Sequence, residues 1–207
     1  TAATVAALGL TARALPAAAD SGAPYRIKNG RIRQSVVPWC FNPMTVPELA
    51  RHAAAMGLQS VELCDPKFWP ELKQLGLTVA IAGSHGFARG FANTNQHEEC
   101  LTILRKRIDE CAAAGVERVI TFSGFRKGIS DEEGMKNMVD GLKKIVGYAE
   151  QKRVTLCLEM LNSRVAENMK GHPDYFCDDT RKATPFSVLM GVTMLAATER
   201  GYTFTYA

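Results

Sequence analysis

From residue 33 onward, short apolar runs alternate with segments whose apolar positions recur every three or four residues. The short runs read as buried strands and the periodic segments as amphipathic helices. RQSVVPWCF (33–41), QSVELC (59–64), LTVAIAG (77–83), VERVITFSG (116–124) and VTLCLEM (154–160) are the predicted strands. Between the first two lies TVPELARHAAAMG (45–57), a helix with Thr45 as its cap and Gly57 as its stop. DPKFWPELKQLG (65–76) predicts a short helix ended by Gly76. NTNQHEECLTILRKRIDECAAAG (93–115) predicts a long one, with Leu101, Leu104, Ile108 and Cys111 on one face. SDEEGMKNMVDGLKKIVGYAEQKR (130–153) has Ser130 as N-cap, acids in its first turn and bases at its end, as the helix dipole favours.

Strict alternation of strands and helices implies a parallel sheet with right-handed crossovers. An open doubly wound sheet and a (β/α)8 barrel both satisfy it. No GxGxxG follows any strand, so the dinucleotide-binding form of the open sheet lacks its fingerprint. The strands end instead in polar or functional residues: Trp39 and Asn42, Glu62 and Asp65, Ser84 and His85, Ser123, Glu159 and Asn162. In a barrel that rim is the chemical face, and an incomplete (β/α)8 barrel of five to six parallel strands is the preferred architecture.

Composition narrows the function. An apolar fraction of 46% and a charged fraction of 22% fit a globular protein. The net charge of +4 is spread out, except for RIKNGRIR (26–33), and no aromatic residues interleave with it, so nucleic acid is not an expected partner. Six cysteines (Cys40, Cys64, Cys100, Cys111, Cys157, Cys177) show neither CxxC pairs nor zinc spacing and are read as free thiols.

The ends differ in character. Residues 1–25 include VAALGL and ALPAAA, which look like the back half of a secretory signal, so export to the periplasm is expected, with the cytoplasm the alternative if the leader is no signal. The leader is too short to span a membrane. Residues 181–207 form a divergent tail, with Thr184 capping an apolar helix to about Glu199 and YTFTY as a strand stub.

The segments RIRQSVVPWCF, GLQSVELCDPKFWPELKQLGL, SGFRKGISDEEGMKNMVDGLKKIVGYAEQKRVTLCLEMLNSR and HPDYFCDDT together resemble hydroxypyruvate isomerase-like proteins. Those belong to the xylose isomerase-like barrel superfamily of sugar isomerases and epimerases. The resemblance covers about residues 28–180. It implies a barrel that binds a divalent metal, Mg²⁺ or Mn²⁺, and a small hydroxy-carbonyl or sugar substrate. Its first ligand, a glutamate ending strand five, matches Glu159, which would also exchange a proton with substrate. Moving a carbonyl between neighbouring carbons needs such a base, worth roughly 10²–10⁴-fold. His85, Glu62, Trp39, Asn162 and Arg164 are the candidate substrate-binding residues. Trp39 serves equally as core, His85 as a structural loop residue, and Asn162 and Arg164 as groups orienting Glu159. His52 and His97 read as surface or packing residues, and His172 as a loop residue with no visible partner.

The family's remaining ligands would lie on later strands, and after CDDT the resemblance stops. The expectation is therefore a truncated or frameshifted isomerase, inactive as it stands, with an exposed barrel edge open to self-association. The competing reading is a non-catalytic exported sugar-binding or remnant barrel. A phosphodiester nuclease of the same superfamily would need a histidine-rich metal cluster, and the four scattered histidines do not supply one.

Overall fold

The computed structural model describes residues 25–165 and 171–179, together with the backbone of Thr193–Ala197 and Thr203–Tyr206. The expected leader lies outside the described residues except for Tyr25, as does the stretch around Thr184. Strands β1 (Ser35–Val36), β2 (Ser60–Val61), β3 (Arg118–Thr121) and β4 (Thr155–Met160) alternate with helices α1 (Val46–Met56), α2 (Trp69–Gln74), α3 (His97–Ala114) and α4 (Asp131–Gln151). Strands β5 (Thr193–Ala197) and β6 (Thr203–Tyr206) follow. No described helix is long and apolar enough to cross a membrane.

The helices start and stop where their caps dictate. Thr45 Oγ1 accepts from Glu48 N–H at 3.4 Å while Thr45 N–H donates to Glu48 Oε2 at 2.8 Å, a reciprocal box at the start of α1. Gly57, at φ 81°, closes that helix by donating to the Ala53 and Ala54 carbonyls. Ser130 caps α4 through the Glu133 N–H at 3.1 Å. Each such cap contributes about 1 kcal/mol.

Three predicted strands shrink to two residues or to bridges, and 59–64 keeps only Ser60–Val61. In 33–41 only Ser35–Val36 pairs; Pro38 has no N–H to give a ladder, and Pro38–Phe41 winds into a 3-10 turn. The 77–83 stretch makes isolated bridges instead of a ladder: Thr78 faces Ser60, and Ala82 faces Val119. It still stitches the sheet together, through Thr78 N–H to Gln59 O (2.9 Å), Ala82 N–H to Arg118 O (2.9 Å) and Ile120 N–H to Ala82 O (2.9 Å). Neighbours in the order β1, β2, segment 78–82, β3, β4, β5 are parallel, and β6 turns back antiparallel on β5. This is the strand order of a partial (β/α)8 barrel, and the described strands do not close it.

The tail corrects one expectation. Residues 193–197 are a strand and not the end of an apolar helix. Periodicity cannot separate a wholly apolar helix from a buried strand, and the free edge of β4 offers backbone partners that only an extended chain can meet. The YTFTY stub is a strand, as expected.

The sheet separates two apolar clusters. Leu156, Leu158 and Met160 join Val119, Leu104, Ile108, Met138, Leu142 and Ile145 under the helices. Cys157 packs on the other face with Ile81, Ile120 and Phe122, bordered by Leu63 and Leu161. Each fully buried aliphatic or methionine side chain in the larger cluster contributes about 1.5–3 kcal/mol. Side chains alternate along β4, so Glu159, two residues beyond Cys157, belongs to the inner face.

Candidate active site

At the C-terminal ends of the strands the chain folds three loops over the inner face. The 83–92 loop is drawn onto the end of β3 by Phe91 N–H to Phe122 O (3.3 Å) and Ala92 N–H to Ser123 O (3.0 Å). The approach is close enough that a Cβ on Gly90 would sit 2.2 Å from the Ser123 carbonyl carbon, and Gly124, at φ +78°, would bring one within 2.6 Å of Gly90 N. Only glycine fits both positions. Segment 174–177 then bridges two strand ends: Phe176 N–H donates to Gly124 O at 3.1 Å, and Leu161 N–H to Cys177 O at 2.8 Å. The Arg126 guanidinium pairs with Asp131 and Asp178, clamping this segment to the start of α4.

Glu159 stands below these loops. It is partly buried, and its side chain makes no hydrogen bond or ion pair to any described residue. Burial pushes its carboxyl up to about 7, because ionising there removes a charge from water with nothing to replace the solvation. Near neutrality such a group is half protonated, able either to take a proton from carbon or to return one.

The other expected site residues divide. Glu62 leaves β2 partly buried, and burial raises its carboxyl while a hydrogen bond from Ser35 pulls the other way. Trp39 is 56% exposed, which removes it from the core and leaves it on the rim beside Phe41. His85 is 5% exposed, and the protein takes both its ring nitrogens. Nε2 lies 3.0 Å from Thr121 Oγ1, and Nδ1 lies 3.0 Å from the Arg89 carbonyl and 3.2 Å from that of Gly86. Burial pushes it down to about 4, so it stays neutral, and in this arrangement it pins its loop and offers no nitrogen to a substrate. Asn162 and Arg164 are exposed and neither orients Glu159; Asn162 Oδ1 instead accepts from Arg164 N–H at 2.8 Å. Ser84 and Ser123 also serve the backbone, Ser84 donating to Ile120 O and Ser123 accepting from Cys177 N–H.

Sequence reasoning missed the aromatic roof. Phe125 stacks on Tyr175 with ring centroids 5.3 Å apart and planes 13° from parallel. Phe87 meets the edge of Tyr175 at 5.9 Å, and His172 lies 4.5 Å from Phe125 and 5.7 Å from Tyr175. His172, which had no visible partner in the sequence, also accepts from Asp174 N–H through Nδ1. The available signal was weak: two phenylalanines, each just past a strand end, and one tyrosine after a His-Pro turn.

Known proteins share this fold. The model of the family described as xylose isomerase-like TIM barrel matches residues 50–180. The chain belongs to that family. Among solved structures, 3-keto-D-glucoside 4-epimerase YcjR from E. coli superposes with a TM-score of 0.63 at 16% identity, over 80% of this chain and 68% of its own. A family 2 AP endonuclease from Brucella melitensis gives 0.62 at 18% identity, over 80% and 67%. The IolI protein with a binding zinc atom gives 0.61 at 17%, over 77% and 59%. No curated protein sequence matches the chain. At these identities the likeness establishes the fold, and an epimerase and a nuclease resemble this xylose isomerase-like chain almost equally.

Glu159 is an oxygen donor of the kind hard cations take. Among the described residues, however, no three His, Cys, Asp or Glu side chains gather as a cation site requires. These residues do not by themselves fit a Mg²⁺, Mn²⁺ or Zn²⁺ centre.

Proposed function

We propose that the inner face around Glu159 is the proton-transfer site of a sugar isomerase or epimerase of hydroxypyruvate isomerase type. The observation that carries this is the glutamate itself: inward on β4, partly buried, without a side-chain partner among the described residues and lifted to about 7. In hydroxypyruvate, a carboxylate within reach of the CH₂OH carbon removes one of its protons. The electron pair moves into the carbonyl and gives an enediolate; a proton passes from the C3 hydroxyl to the C2 oxygen, and returning the first proton to C2 gives tartronate semialdehyde. The partly apolar surroundings from Cys157, Phe122 and Leu161 keep the carboxylate poorly solvated and therefore basic.

A divalent cation, Mg²⁺ or Mn²⁺, would polarise the carbonyl and steady the enediolate. Glu159 would be one ligand of such a cation, and the rest would have to come from outside the described residues. Proton exchange, the first half of the reaction, needs only the base and a bound substrate.

The test is wash-in of deuterium from D₂O into hydroxypyruvate, followed by NMR, for the wild type and Glu159→Gln. Exchange above the buffer rate that the substitution abolishes supports the reading. Equal exchange in both proteins, or none with or without added Mn²⁺, overturns it. In the latter case a non-catalytic sugar-binding barrel becomes the better account.

A further inference from the structure

Tyr175 is the one aromatic residue of the roof that carries a hydroxyl, and the fold goes to some length to fix it. The residue is 3% exposed. Its ring is held on one side by Phe125, at its edge by Phe87, and at a tilt by His172. Its N–H is bonded to the His172 carbonyl at 3.2 Å, and its backbone bridges to Phe125. The flanking Phe176 is buried against Gly134, where a Cβ would lie 2.2 Å from the ring. Neither the ring nor the backbone is free to turn away.

The phenolic oxygen is treated differently from the rest of the residue. It has no hydrogen-bond partner among the described residues. Nor is it sealed in, since among the described residues the buried, unpaired side-chain atoms are Trp69 Nε1, Arg107 Nε and Glu110 Oε2. A rigid, almost wholly buried tyrosine thus ends in a hydroxyl that opens on to space. Glu159 is near enough for its charge to be felt by the phenol, which burial first and the carboxylate second raise above the ordinary tyrosine value. The hydroxyl is therefore a neutral donor within electrostatic reach of the proposed base.

We propose that the Tyr175 hydroxyl hydrogen-bonds the hydroxyl oxygen beside the carbonyl of the bound substrate, and so selects α-hydroxy carbonyl compounds over their deoxy analogues. This rests on the inner face being the substrate site. The donor is preorganised, so little side-chain freedom is lost when the substrate docks.

Hydroxypyruvate and pyruvate, which lacks that hydroxyl, are the probes, and their dissociation constants are measured by ligand-observed NMR. Wild type should bind hydroxypyruvate about tenfold more tightly, as one hydrogen bond of ordinary net strength provides. Tyr175→Phe keeps the ring and its packing. It should weaken hydroxypyruvate to the level of pyruvate and leave pyruvate unchanged. The unchanged pyruvate value shows that the variant is folded. If Tyr175→Phe binds both probes as the wild type does, or if neither probe binds the wild type, the proposal is overturned. Discrimination by Tyr175 without deuterium exchange would retain this inference while rejecting Glu159 as the base. Exchange lost in Glu159→Gln, with unaltered discrimination in Tyr175→Phe, would do the reverse.

Discussion

Replacing Glu159 by glutamine should stabilise the protein, and only above a definite pH. In the unfolded chain the carboxyl titrates near 4.5, and in the folded protein near 7. Below 4.5 both states hold the proton and the residue contributes nothing to pH dependence. Between 4.5 and 7 the unfolded state releases it while the folded state keeps it, so rising pH favours unfolding. Above 7 the full penalty stands: at about 1.4 kcal/mol for each pH unit of displacement, it reaches up to about 3 kcal/mol. Glutamine has the same shape and never ionises. The variant should match the wild type at pH 4 and exceed it by about 1–3 kcal/mol at pH 8, the lower figure allowing for water that still reaches the carboxylate.

His85 sharpens the assay, because its displacement has the opposite consequence. Its folded value is about 4 against an ordinary 6.5, so between those limits the unfolded state takes up a proton that the folded state refuses. That penalty, also about 3 kcal/mol when complete, is present at low pH and gone above 6.5. Across pH 4.5–6.5 the two groups therefore offset each other, and the wild type should show little slope from this pair. Removing Glu159 uncovers the histidine: stability of Glu159→Gln should climb through this range. Urea unfolding of both proteins at half-unit steps from pH 4 to 8 reads this directly, provided the denaturant slope stays constant. A variant that parallels the wild type at every pH, or is weaker at pH 8, would show that Glu159 is solvated or paired when folded, and the reasoning from its burial would fail.

Gly124→Ala, which must hold φ +78° and meet Gly90 N at 2.6 Å, should cost at least about 2 kcal/mol in thermal or urea unfolding. Gly147→Ala, in an exposed part of α4 with nothing within 4 Å of the new methyl, should instead add about 0.5–1 kcal/mol. A thiol reagent should label Cys40 quickly in the native protein and reach Cys64, Cys100, Cys111, Cys157 and Cys177 only on unfolding, for six in all. Burial holds Cys100 and Cys157 up near 11 and Cys111 near 12, which slows them further. Since the described residues offer one isolated carboxylate, Mn²⁺ should raise the melting temperature of the wild type no more than that of Glu159→Gln at pH 8. A wild-type-specific rise would show that residues beyond those described complete a metal site.

Much of the scaffold was legible because helix caps and apolar periodicity are local. Thr45, Gly57 and Ser130 sit where the pattern demanded, and α3 buries Leu101, Leu104, Ile108 and Cys111 together. What failed depended on partners far along the chain. Pairing decides whether 77–83 becomes a ladder or two bridges, and the free edge of β4 decides that 193–197 is extended. Around the site, the sequence could mark His85 and Glu159 as polar residues at strand ends but not their opposite fates. His85 is kept neutral by burial while contacts brought in from Gly86, Arg89 and Thr121 occupy both its ring nitrogens, whereas no described group hydrogen-bonds or ion-pairs with the Glu159 carboxyl. Tyr175 was invisible for the same reason, since its ring partners come from three separate loops.

That contrast separates scaffold from site. Both residues are polar, both lie in apolar surroundings, and both have been displaced by burial by a similar amount. The histidine recovers its cost through hydrogen bonds that hold the 83–92 loop on β3, so its presence is explained by the fold alone. The glutamate recovers nothing from the described residues. Cys157 and Leu161, flanking it on the same face, show the apolar side chains this position accommodates, and either would be more stable there. The free energy withheld by an unpaired carboxylate is returned only when something supplies what the protein does not: a proton, a cation or a donor on a ligand. A ligand that binds the ionised form must draw the carboxyl down from about 7 toward its ordinary range, and its affinity must then rise about tenfold for each pH unit below 7 and level off above it. A ligand affinity flat from pH 5 to 8 would mean that whatever occupies the inner face does so without engaging Glu159.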